Sequence, residues 1–102
     1  MDIGSTITSL RKSKSITQGD LAKSSNITQA YLSQIENNKK EPNLSTLKDI
    51  SFSLGIPLPV IFFMSLEKDD VPEHKQEFFN TMKPTLSGFF ESIFNNDAKA
   101  NN

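Results

Sequence analysis

Between Thr28 and Asn37 the chain carries Gln29, Ala30, Ser33, Gln34 and Asn37 on one side of a helical repeat, with Leu32 and Ile35 three apart on the other. The first set consists of amides, a hydroxyl and a methyl. Such short groups approach a base edge closely: a glutamine pairs bidentately with adenine N6/N7 or reaches guanine, and an alanine lies against a thymine methyl. A helix face that only meets water usually carries Lys and Glu pairs, and this one has none. Gln29, Ala30, Ser33 and Gln34 are therefore the candidate base contacts. Lys39 and Lys40 follow at once and suit backbone phosphates, which supply affinity without sequence information.

Other chemistries find no support. There is one histidine, His74, in a polar run without partners, and no cysteine, so neither a thiolate metal site nor a disulfide framework is expected. No Gly-rich phosphate loop and no paired carboxylates around an apolar pocket occur, so no catalytic residues, cofactor or metal are expected. Net charge is -1. Residues 1–60 hold seven Lys/Arg against five Asp/Glu, or +2, and the remainder holds four against seven, or -3. The basic excess thus coincides with the candidate base-reading half. No signal peptide and no apolar run near about 18 residues are present, so a cytoplasmic protein without membrane contact is expected.

The elements that position these residues all read as helices, with no hairpin or alternation signal for strands. Ile3, Ile7 and Leu10 share one face of a first helix running to about Lys14. Ile16 is a hydrophobic staple before a Thr17 N-cap, with Asp20 as the acidic half of a capping box. Leu21 and Ala22 point inward, Ser24-Ser25-Asn26 form a sharp polar turn, and Thr28 caps the base-reading helix. Asn37-Asn38-Lys39-Lys40 is a loop. Asn43 or Ser45 caps a fourth helix with Leu44, Leu47, Ile50 and Leu54 inward, ended by Gly55. A short fifth helix spans Val60 to about Met64, with Phe62 and Phe63 sealing the core.

Two helices joined by about four residues, the second showing short hydrogen-bonding groups, form the helix-turn-helix arrangement. Ile7, Leu10, Arg11, Ile16-Thr17-Gln18, Leu21-Ala22, Tyr31-Leu32-Ser33-Gln34-Ile35-Glu36-Asn37, Pro42, Leu47 and Leu54-Gly55-Ile56 stand in register. In these residues the stretch from about Ile3 to Phe63 resembles the phage repressor and Cro-type (XRE-like) family of bacterial transcription regulators. The resemblance implies an all-α, five-helix lambda-repressor-like DNA-binding domain, here with an additional C-terminal helical segment, and double-stranded operator DNA as partner. It implies a structural ion pair between Arg11 and Glu36, the alternative being a solvated Arg11 on phosphate. It also implies that the amides of Gln18 meet a phosphate, which a helix N-terminus favours. Thr28, Asn37, Lys39 and Lys40 join Gln18 as backbone contacts. Tyr31 either lies against sugar and phosphate or is half-buried. Family members commonly have glycine where Asn38 stands, at a left-handed helix-ending position that asparagine tolerates.

The domain then runs over residues 1–65, an acidic linker over 66–74, an amphipathic helical segment over 75–95 and a frayed tail over 96–102. Phe79, Met82, Leu86, Phe89 and Ile93 follow 3-4-3-4 spacing, widened by Phe78, Phe90 and Phe94. Pro84 either opens a helix capped by Thr81 or kinks one long helix. So large an apolar stripe must be covered. It packs on its own domain, forms a homodimer interface, or receives an antagonist or toxin protein; a homodimer is the preferred expectation, because half-sites one DNA turn apart need a twofold partner. The function expected is a sequence-specific transcriptional regulator, a repressor or autoregulator on a palindromic operator. The alternative is an interaction regulator of the same fold, acting through the Phe-rich helix.

Overall fold

Four helices begin where a short polar side chain takes up a backbone N–H that the helix itself leaves free. Asp2 accepts from the Ser5 amide at 3.0 Å, Thr17 from Asp20 at 3.1 Å, Thr28 from Tyr31 at 3.0 Å and Asn43 from Thr46 at 2.8 Å. A computed structural model describes residues 1–94, and these form α1 (Ile3–Ser13), α2 (Gln18–Ser24), α3 (Gln29–Glu36), α4 (Leu44–Leu54), α5 (Leu58–Ser65) and α6 (Gln76–Phe94). Two short 3₁₀ turns, Lys68–Asp70 and Glu73–Lys75, lie between α5 and α6. The expected frayed tail lies outside the described residues. No strand occurs among those described, so the all-α class holds. Nor among them is any single helix long and apolar enough to cross a membrane.

Each connection among the first five helices turns on one left-handed residue: Ser15 (φ 59°), Asn26 (φ 59°), Asn38 (φ 58°) and Gly55 (φ 70°). Glycine enters this region freely and asparagine tolerates it, but serine enters it at a cost. Short turns let the helices fold back on a shared core of Ile7, Leu10, Leu21, Ala22, Leu32, Ile35, Leu47, Ile50, Leu54, Ile56 and Ile61. Buried serines are satisfied within it: Ser51 donates to the Ile56 carbonyl, Ser65 to that of Ile61, and Ser25 lies 3.1 Å from the Ser53 hydroxyl.

The structure departs from expectation at several points. Leu44 is exposed and Ser51 takes the fourth inward position of α4, because the first turn of that helix projects beyond the core. Helix α5 starts at Leu58, with Pro59 in its first turn where the missing N–H costs nothing, and Ile61 is its core residue, Phe62 and Phe63 being half-buried. The acidic stretch is folded: Glu67 and Asp70 make a reciprocal capping box, and the Met1 amino group sits 3.1 Å from Glu67 Oε1 and 2.8 Å from Asp70 Oδ2. Pro84 does not divide the last helix, which runs unbroken through it.

Gly4 marks the tightest contact, where α1 crosses the end of α3. A Cβ there would stand 2.5 Å from the Ile35 carbonyl oxygen, 2.7 Å from that of Glu36 and 2.6 Å from Asn38 Oδ1. Two of those atoms belong to backbone and cannot swing aside. Gly4→Ala should therefore destabilise the fold by about 1–3 kcal/mol despite alanine's better helix propensity. Urea denaturation should show a lowered midpoint at an unchanged slope.

Candidate nucleic-acid interface

Helix α3 is held by Leu32 and Ile35, both essentially inaccessible, and by the buried Glu36. Its opposite side presents Gln29, Ala30 and Gln34 fully to solvent and Ser33 in part, with Thr28 and Asn37 exposed at its two ends. Every candidate base contact thus shares one accessible face, and no charged group stands on it. Tyr31 is half-buried against the core.

The orientation of this helix is fixed by an ionic junction. Arg11 Nε donates to Glu36 Oε2 at 2.8 Å and Nη2 to Oε1 at 3.1 Å, a two-pronged pair, while Nη1 donates to the Ile16 carbonyl at 3.0 Å. Gln18 Nε2 donates to Glu36 Oε1 at 3.0 Å. Three helices therefore meet at one carboxylate, and the same Arg11 guanidinium ties in the α1–α2 loop. Burial opposes ionisation of Glu36, but the hydrogen bonds from Arg11 and Gln18, with the Arg11 charge, outweigh it and hold the carboxyl below its ordinary range. Gln18 was expected to offer its side-chain amide outward. Its NH₂ is instead engaged by Glu36, and its carbonyl oxygen faces Gln29 Nε2 at 3.5 Å, the outer limit of a hydrogen bond. Gln29 is thereby steered by a residue of the preceding helix.

The loop after α3 is equally fixed. The Lys39 and Lys40 amides both donate to the Gln34 carbonyl, at 2.8 and 3.2 Å, so the two exposed lysines project from a closed turn. Asn38 Oδ1 accepts from the Gly4 amide at 3.1 Å, and its Nδ2 donates to Asp2 Oδ1 at 2.7 Å. Glycine in this position would keep the backbone angle and lose both bonds. Asn37 folds its amide back onto the Ser33 carbonyl at 2.9 Å. Asp2, Gly4 and the left-handed Asn26 were not singled out in the sequence, although a glycine inside the first helical turn is the kind of departure from propensity that signals close approach.

The expected Phe-rich stripe of α6 divides in two. Phe90 and Phe94 turn toward the domain: the Phe90 ring meets Phe63 edge-on with centroids 5.4 Å apart, stacks toward Phe94 at 6.5 Å, and Phe94 touches the core, while the half-buried Phe79 lies under the Lys83 ammonium. Phe78, Leu86, Phe89 and Ile93 face solvent, and Met82 lies between the two sets. Lys83 anchors the helix by donating to the Leu66 carbonyl. Among the described residues no group of His, Cys, Asp and Glu converges as a metal site, and His74 is exposed.

Comparison with known proteins agrees with this geometry. The model of the helix-turn-helix family matches residues 7–61. The chain is 38% identical over 93 residues to the immunity repressor protein of Bacillus phage phi105, covering 91% of this chain and 62% of that relative. It thus spans less than two thirds of the phage protein's length. It is 33% identical over 54 residues to an uncharacterized HTH-type transcriptional regulator of Sinorhizobium fredii, covering 53% of this chain and 70% of the relative. No solved structure matches it significantly.

The Arg11–Glu36 junction makes stability depend on acid. A carboxyl whose pKa is lowered by folding contributes its full stabilisation above the unfolded value, near 4.5, and loses it as pH falls through the lower folded value. Glu36→Gln should therefore flatten the acid side of the stability profile, read by urea denaturation between neutral pH and pH 3. Arg11→Ala should cost about 3–5 kcal/mol at neutral pH, because it leaves a buried carboxylate unpaired.

Proposed function

The chain belongs to the helix-turn-helix family, and on that premise we propose that it is a sequence-specific DNA-binding regulator of transcription, acting as a repressor or autoregulator in the cytoplasm. The observation that carries this reading is the α3 surface: an accessible row of amide, hydroxyl and methyl groups without charge, bounded at one end by two exposed lysines on a rigid loop. The name of the phage relative, an immunity repressor, favours repression.

In this reading α3 enters the major groove. Gln29 and Gln34 take base edges through their carboxamides, Ser33 supplies a third polar contact, and Ala30 meets a thymine methyl. Gln18 faces Gln29 from the preceding helix, at the edge of the surface that meets the groove. The backbone N–H of Gln18, with Thr28, Asn37, Lys39 and Lys40, meets phosphates and sets register without reading sequence. Two copies related by a twofold axis read the half-sites of a palindromic operator about one DNA turn apart.

The operator is first obtained by selecting bound duplexes from a random pool; recovery of no shared sequence would overturn the reading. On the selected site, Gln29→Ala or Gln34→Ala should cost about 1–3 kcal/mol and relax preference at one base pair. Lys39→Ala should weaken binding to all sequences alike and reduce the salt slope by about one per half-site. A changed base preference in Lys39→Ala would overturn its phosphate assignment.

A further inference from the structure

Phe52, on α4, is 89% exposed, more than any other large apolar residue described. It stands at the lip of an apolar groove of about 440 Å³, whose walls include Lys48, Ile56, Pro57 and, from the end of α6, Phe94. On α6 itself the exposed residues Phe78, Leu86, Phe89 and Ile93, with the half-buried Met82 among them, fall within an arc of about 80° at 3.6 residues per turn. Phe52 and the exposed residues of that stripe leave roughly 500–600 Å² of apolar surface uncovered. That is the upper end of what a monomer carries as its largest patch. With a polar rim it approaches the roughly 800 Å² each partner contributes to a stable complex.

We propose that this surface pairs two copies of the chain, with α6 running antiparallel to the partner's α6 and Phe78 of each copy entering the groove beside Phe52 of the other. The proposal rests on the reading of the protein as a homodimeric regulator and specifies its interface. The stripe is nearly palindromic: Phe78 with Ile93, and Met82 with Phe89, are centred on the same point beside Leu86. Antiparallel pairing about that point is therefore self-complementary, as a twofold interface requires. It sets the start of each helix against the end of the other, and the end of α6 is where Phe94 walls the groove. A parallel pair would align the helix dipoles and leave both grooves empty.

The test is sedimentation equilibrium on the full chain, with circular dichroism to confirm that folding is unchanged. Wild type should be a dimer. Phe78→Glu and Phe52→Lys, both at exposed positions, should each weaken dimerisation at least tenfold. The double variant Phe78→Glu/Phe52→Lys should recover most of the loss, since each new carboxylate then meets the partner's new ammonium. Single variants that dimerise like wild type, or a double variant no better than the weaker single, would overturn the pairing. A monomeric wild type that still binds half-sites would also overturn it while leaving DNA reading intact. A dimer with the predicted rescue that selects no duplex would support the pairing and overturn the regulator reading.

Discussion

A carboxylate without solvent is tolerable only if its charge is answered, and the placement of α3 follows from how Glu36 is answered. Its partners come from α1 and from the start of α2, so three helices that contact one another mainly through aliphatic side chains acquire one directional constraint. Apolar packing alone admits small rotations of a two-turn helix such as α3, because Leu32 and Ile35 offer only a narrow stripe. The two-pronged guanidinium contact does not admit them: a modest rotation would break both hydrogen bonds and strand a buried charge. The cost of burying the ion pair is thus balanced by definition of the surface that α3 presents.

A division of labour on α3 follows. The residues that hold it, Leu32, Ile35 and Glu36, share no position with those facing outward, Gln29, Ala30, Ser33 and Gln34. Outward substitutions remove no core contact and leave the ionic junction untouched, Gln29 alone being tied to it through Gln18. Which bases the helix prefers is accordingly separable from whether the domain folds.

Much of this was legible in the sequence because local rules and the core agree. Thr17, Thr28 and Gly55 announce helix ends by their own chemistry, and the inward positions of α1 to α3 recur with helical period. Where the reading departed from the structure, the deciding information was not local. Leu44 satisfies the period of α4 but lies beyond the reach of the core, and Ser51 is buried where its hydroxyl bonds the Ile56 carbonyl of the α4–α5 connection. The aromatic stripe of α6 spans a wide arc, and periodicity cannot say that the domain shields one half and leaves the other bare. The acidic run after α5 resembled a loose connection, yet Glu67 and Asp70 cap one turn reciprocally and grip the first residue. Asn38 was read correctly as left-handed, but its carboxamide contacts lie more than thirty residues away and leave no trace in spacing.

Those distant contacts bear on motion. The first turn of α1 and the lysine loop after α3 share the Gly4–Asn38–Asp2 hydrogen bonds, so opening either one breaks bonds that the other also holds. Such shared bonds define a cooperative unit that fluctuates together, below the free energy of global unfolding. Any agent that clamps the loop also quiets the beginning of the chain, some thirty-five residues earlier.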